Sequence, residues 1–234
     1  MHRCLALVVA LCLAAVLGAP SVAPAQPVIV WKAGTATAGG NPLNDTMEIF
    51  SKQMAERSRG RVKVDVHIAN ALAKGEAAHL EGVQLGTIDV VAIGSAPVGG
   101  MFEPSYQALD LPFLWATREQ VWKVMDGPLG QELLKKMEAK NLKAFCFGGG
   151  WGFRNMMSNK RAIATPEDMK GQTIRVQESP TYVAMMNAMG ANPVPMPYVE
   201  VYLAMKQGTI DGMELPSFTM TSDKFQEVTK YYSL

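Results

Sequence analysis

Residues 168–216 read DMKGQTIRVQESPTYVAMMNAMGANPVPMPYVEVYLAMKQGTIDGMELP. Within them, Thr173-Ile174-Arg175-Val176 has the β-branched, apolar make-up of a buried strand, yet it carries an arginine. A guanidinium is always charged, and its fork matches a carboxylate through two parallel hydrogen bonds. In such a strand it needs an anionic partner, either a structural acid or a ligand. Ser179-Pro180 then opens a helix in the N-cap and N1 manner, with Met185, Met186 and Met189 expected in the core. Pro193, Pro195 and Pro197 predict a stiff loop before Tyr198, where a second helix begins. Thr209-Ile210-Asp211 leads into a short strand whose exit is flanked by Asp211 and Glu214.

The same alternation extends upstream. Residues 28–33, 62–68, 88–93 and 143–147 read as strands, and 43–57, 76–85, 117–125 and 129–139 as helices. Gly86 stands at a helix end in the C′ role. This order predicts an α/β protein with mainly parallel strands. Gln84-Leu85-Gly86-Thr87-Ile88-Asp89 echoes Lys206-Gln207-Gly208-Thr209-Ile210-Asp211, as two similar lobes would. Gly148-Gly149-Gly150 is a candidate hinge, with an ordinary strand-to-loop exit as the plainer alternative. Lobe 1 is expected over residues 26–148 and lobe 2 over 149–234.

Residues 1–25 have the form of an export signal. Met1-His2-Arg3 precedes an apolar run from Cys4 to Leu17, too short to span a bilayer. Ala23-Pro24-Ala25 then predicts cleavage before Gln26. Loss of Arg3 would leave 21 basic and 21 acidic side chains, so nothing favours nucleic acid as a partner. Cys4 and Cys12 would leave with the leader, so Cys146 could form no internal disulfide. It stands in an apolar pattern and is expected to be buried. An exported chain of 48% hydrophobic residues without disulfides suits the bacterial envelope.

Catalytic signatures are scarce. His67 and His79 have no metal-site spacing, and neither a nucleophile elbow nor a phosphate loop appears. No enzyme activity, metal or cofactor is expected. Arg154, after the glycine run, and Arg175 lie on successive strand patterns. Together they would clamp an anion if both reach a cleft. The alternative is pairing with a local acid such as Glu167, Asp168 or Glu178.

G-F-R-x-x-x-S-N from Gly152, D-M-K-G-x-x-I-R-V from Asp168, and M-G-A-N-P-V-P-M-P-Y-x-E-V-Y-x-A-M-K-Q-G-x-I-D-G-x-E from Met189 resemble one known family. It comprises the substrate-binding proteins of TRAP (tripartite ATP-independent periplasmic) transporters, in the C4-dicarboxylate-binding family. The resemblance implies a two-lobed, type II-like periplasmic-binding-protein fold. It also implies a receptor that delivers an organic acid to small and large integral-membrane permease subunits. By motif position the carboxylate-gripping arginine is Arg175, the second arginine Arg154, and the aromatic position Tyr198. Glu214, Trp151 and Asn41 are further candidates, with Thr35 and Thr37 beside Asn41.

Two departures bear on the ligand. Leu215 replaces an asparagine, and Gly94 falls where some members carry an acid. With Trp151 and Phe153 nearby, both argue for a simple mono- or dicarboxylate with an apolar or aromatic body, and against a polyhydroxylated or amino-bearing one. Family members continue beyond Leu234, so the chain is expected to be truncated at its C-terminus. The rival readings are a receptor for an ATP-driven importer, a ligand-sensing subunit of a membrane receptor, and an envelope enzyme.

Overall fold

Asp89 and Asp211 close the same turn in two different sheets. The structure is a computed structural model and describes residues 27–148 and 151–233. The proposed leader and two glycines of the hinge run lie outside the described residues. The first sheet has order β2-β1-β3, from β1 (Ile29–Gly34), β2 (Val62–His67) and β3 (Val90–Val91), all parallel. The second has order β6-β5-β7-β4-β8. Its strands are β4 (Arg154–Ser158), β5 (Thr173–Val176), β6 (Asn192–Pro195), β7 (Gly212–Pro216) and β8 (Tyr231–Tyr232). Here β5 runs parallel to β6 and β7, whereas β4 is antiparallel to β7 and β8.

The sequence echo is an identical local device. The Thr87 and Thr209 hydroxyls each donate to a carbonyl five residues back, Gly82 and Ala204, both at 3.1 Å. Asp89 accepts from the Lys32 amide, and Asp211 from the Thr173 amide, both at 2.7 Å. Each aspartate also donates its own N–H back to the carbonyl of that same residue. Ile88 and Ile210 are buried in both copies. Gly86 and Gly208 have φ +73° and +72°, a conformation open to glycine at little cost. This turn carries the chain from a helix into a strand two places along the sheet from the one before that helix, beside β1 in the first sheet and β5 in the second.

Helices cover both sheets. Helix α1 (Pro42–Arg57) starts at the Asn41 cap, whose side-chain oxygen accepts from the Leu43 amide at 3.1 Å. Helix α2 (Gly75–Gln84) carries buried His79 against Gly34, where any Cβ would strike the imidazole. Helix α3 (Ser95–Met101) crosses to the second sheet, and its Ala96 packs with Ile174, Val176 and Tyr182. A Cβ on Gly100 would lie 2.3 Å from the Glu178 carbonyl oxygen, so a bare glycine permits that crossing. Helices α4 (Arg118–Met125) and α5 (Pro128–Lys136) follow as the sequence predicts. In the second lobe, α6 (Pro180–Ala188) and α7 (Tyr198–Gln207) cover opposite faces of the sheet. One face holds Ile174, Val176 and Met186; the other holds Met157, Met213 and Leu215 with Val201 and Met205. Each such buried side chain contributes about 1.5–3 kcal/mol relative to exposure.

Several expectations are corrected. Residues 143–147 form no strand, and Cys146 is exposed rather than buried. Of residues 88–93 only Val90–Val91 form a strand. The proline run is not all loop, because Asn192–Pro195 forms the edge strand β6, where missing amides are tolerated. Ser179 has extended N-cap geometry, but its hydroxyl is buried without a partner among the described residues.

Candidate functional site

The strand ends of the two sheets face one cleft. From the first lobe come Ala36 and Thr37 after β1, Asn41 at the α1 cap, and Glu76 in the first turn of α2. From the second come Trp151, Arg154, Arg175, Gln177, Tyr198, Leu215, Pro216 and Thr219. Five predicted residues, Arg175, Arg154, Tyr198, Trp151 and Asn41, therefore line one space. Glu214 sits directly behind it, 3% exposed. Thr35 does not reach the cleft; its hydroxyl donates to Asn44 on α1, and Phe153 is half exposed.

The two arginines are successive in sequence but not adjacent in the sheet, since β7 runs between their strands. They also occupy opposite faces. Arg175 is in register with Met213, while Met156, one pleat on from Arg154, is in register with Glu214. Accordingly Arg154 lies over the Tyr182 ring at 5.6 Å, and Arg175 over the Tyr198 ring at 6.0 Å.

Their electrostatics differ as well. Arg154 Nε donates to the Glu214 carboxylate, and its Nη2 donates to the Glu214 carbonyl at 2.8 Å. Burial opposes the Arg154 charge, but Glu214 outweighs it and holds the guanidinium firmly protonated. None of the acids Glu167, Asp168 or Glu178 pairs with either arginine. Arg175 is 2% exposed and has no carboxylate within ion-pair distance among the described residues. Its Nε and Nη2 donate to the Met196 carbonyl at 2.9 and 2.6 Å. Nη1 has no partner among the described residues. Burial lowers the Arg175 pKa, Glu214 opposes that shift, and Arg154 reinforces it.

Other polar groups lie around the same space. Asn41 Nδ2 is buried without a partner among the described residues, and the buried Tyr198 hydroxyl lies beside the Asp223 carboxylate. Trp151 Nε1 donates to Asn41 Oδ1 at 3.1 Å, tying the two walls together. Burial raises the Tyr198 pKa, which keeps its hydroxyl a neutral donor. Glu76 escaped the sequence reading, because an acid in a first helical turn reads as an ordinary dipole complement. Burial raises its pKa, and the Gly94 amide and Arg175 lower it. Asp110, behind Arg154, is pushed up to about 6, chiefly by burial. Among the described residues no cluster of metal-ligating side chains occurs, and no helix is long and apolar enough to cross a membrane.

A two-lobed α/β architecture, with a charged cleft between parallel-strand ends, defines a solute-binding class of protein. Comparison makes the assignment specific. The family described as bacterial extracellular solute-binding protein, family 7, matches residues 33–234, and the chain belongs to it. That is a family of transport receptors, not of enzymes. The chain is 36% identical over 185 residues to the 2,3-diketo-L-gulonate-binding periplasmic protein YiaO of Escherichia coli, covering 79% of this chain and 56% of that protein. It is 33% identical over 226 residues to the C4-dicarboxylate-binding periplasmic protein DctP of Rhodobacter capsulatus, covering 97% and 66%. A TRAP periplasmic solute binding protein from Polaromonas, bound to D-erythronate, superposes with a TM-score of 0.84 at 35% identity, covering 88% and 67%. The chain spans less than two thirds of the length of the curated relatives it matches.

Proposed function

We propose that this chain is the extracytoplasmic receptor of a TRAP-type importer. It binds an organic acid through its carboxylate and hands it to the membrane permease subunits. The observation that carries this reading is the convergence of unmatched donors on one cleft. Arg175 Nη1 and Asn41 Nδ2 are buried donors without acceptors among the described residues, and the buried Tyr198 hydroxyl, beside the Asp223 carboxylate, lies at the same cleft. Such groups cost free energy unless a ligand satisfies them, and a carboxylate offers the complementary acceptors. Arg154, already paired with Glu214, shapes the wall and adds a further N–H to the site.

In this reading residues 1–25 direct export to the periplasm and are removed. The lobes divide near residue 149 and close over the acid, and closure presents the docked surface to the permease. Relatives named as periplasmic acid-binding proteins support this placement.

A thermal-shift screen against mono-, di-, keto- and aromatic carboxylates tests it, with Arg175→Ala as control. An acid at a hundredfold excess over its Kd should add about 2.7 kcal/mol of stability, and none in the control. A shift of equal size in Arg175→Ala would remove Arg175 from the site.

A further inference from the structure

We infer that Asp223, which is not part of the cleft lining, is a positioning residue: it accepts the Tyr198 hydroxyl and so holds the Tyr198 ring over the Arg175 guanidinium. This rests on the carboxylate-receptor reading above and adds what fixes its clamp in place.

Two residues of one short segment grip Arg175. The Met196 carbonyl takes Nε and Nη2 along one edge of the fork, at 2.9 and 2.6 Å. Tyr198 covers its face, with the ring centroid 6.0 Å from Cζ. Nη1 alone is left without a partner among the described residues. Where that last nitrogen aims depends on the plane of the fork, and the plane depends on where the Tyr198 ring stands. A tyrosine ring swings about two side-chain torsions, so something must hold its far end.

Asp223-Lys224-Phe225 supplies the hold. After β7 the one-turn helix α8 (Thr219–Ser222) stops at Asp223, and Lys224 turns the chain at φ +59°. That left-handed conformation costs a lysine free energy that a glycine would not lose. It sends both neighbours of Lys224 to the same side chain. Phe225, 2% exposed, meets the Tyr198 ring edge-on at 6.0 Å. The Asp223 carboxylate lies beside the Tyr198 hydroxyl. Ser222 Oγ donates to Asp223 Oδ2 at 2.6 Å. Among the described residues no lysine or arginine lies within ion-pair distance of Asp223, so its charge is left for hydroxyl donors. Burial, and then Asp223 itself, raises the Tyr198 pKa, so the phenol keeps the proton it donates. A hydrogen bond to an ionised acceptor is the stronger kind, and it also enriches the ring that faces the cation. The plainer role, ending α8 through the Asp223 N–H to the Thr219 carbonyl, uses the backbone and gives the carboxylate no task.

Calorimetric titration with succinate and erythronate tests this, beside NMR of the ligand-free protein labelled with carbon-13 at the tyrosine Cζ. Asp223→Ala should weaken whichever acid binds by about tenfold, and Asp223→Asn, which keeps an acceptor oxygen, by only about threefold. In a Tyr198→Phe background neither substitution should change affinity further, because the effect travels through the hydroxyl. The resonance missing from Tyr198→Phe is that of Tyr198, and it should move upfield in Asp223→Asn while the urea midpoint stays near that of the unmodified protein. An affinity loss that persists in the Tyr198→Phe background would overturn the inference, as would an unmoved Tyr198 resonance. If Arg175→Ala abolishes binding while the Asp223 variants bind normally, the receptor reading survives and only the Asp223 role fails. If the folded protein binds neither acid, there is no clamp to position and both fall together.

Discussion

The Gly-Thr-Ile-Asp turn occurs once in each lobe with the same hydrogen bonds, yet the strands that leave it differ. After Asp89 the chain enters Val90–Val91, a two-residue strand with no charge. After Asp211 it enters Gly212–Pro216, buried throughout, with Glu214 at its centre. One fold device thus serves two purposes. In the first lobe it delivers a strand without a charged side chain, and the wall's polar groups, Glu76 among them, come from loops and helix starts. In the second it places an acid between two strands that each carry an arginine. Glu214 neutralises Arg154 across the sheet and leaves Arg175 to the cleft.

The largest effect should come from breaking that acid. Glu214→Gln leaves Arg154 buried without its counter-charge and is expected to cost about 3–5 kcal/mol in urea unfolding. A loss below about 1 kcal/mol would mean that Arg154 is solvated by other means.

Next, the two turns can be set against each other. Asp211 accepts from the Thr173 amide and pairs with Lys160 at 2.8 Å, largely out of solvent. Burial alone would raise its pKa, but these contacts outweigh it and the net shift is downward. A depressed carboxylate contributes stability above its unfolded pKa, and that contribution is lost as pH falls through the folded value. Asp211→Asn should therefore cost about 1.5–3 kcal/mol at neutral pH, with the deficit shrinking below about pH 4. Asp89→Asn, at an exposed turn, should cost less than half as much. Equal costs would erase the distinction between the lobes.

A smaller effect of opposite sign is expected at Asp110. Ser95 donates to its Oδ1 at 2.9 Å, and Arg154 and the Tyr182 hydroxyl also favour the charged form, but burial outweighs them. With its pKa raised to about 6, the folded state binds the proton more tightly than the unfolded chain. Stability therefore declines as pH rises from about 4 to about 6. Asp110→Asn should gain on the order of 1–2 kcal/mol at pH 7 and nothing below about pH 4. Denaturant midpoints at both pH values check this.

How far the sequence could be read follows the same division. Arg175 was legible because a permanent charge inside a strand pattern is conspicuous. The ends of α2 and α7 followed from Gly86 and Gly208, whose backbone roles are local, whereas the Asn41 cap of α1 went unread. Glu76 was not legible, because only tertiary folding carries a first-turn glutamate to the Gly94 amide. Nor was the partner of Arg154, since Glu214 is distant in sequence and meets it through β4–β7 pairing. The apolar run at 143–147 failed for a related reason. Its composition favours a strand, but a strand exists only where a neighbour supplies a ladder, and no pairing forms there.

The central claim is that Arg175 alone holds its charge for a ligand. Arg175→Lys keeps that charge and loses the planar fork. Calorimetry of this variant with erythronate and succinate, beside its urea midpoint, tests the claim directly. The account predicts a near-unchanged midpoint and an affinity loss of about a hundredfold for whichever acid binds. Unchanged affinity, or a collapse of stability comparable to that of Glu214→Gln, would contradict it.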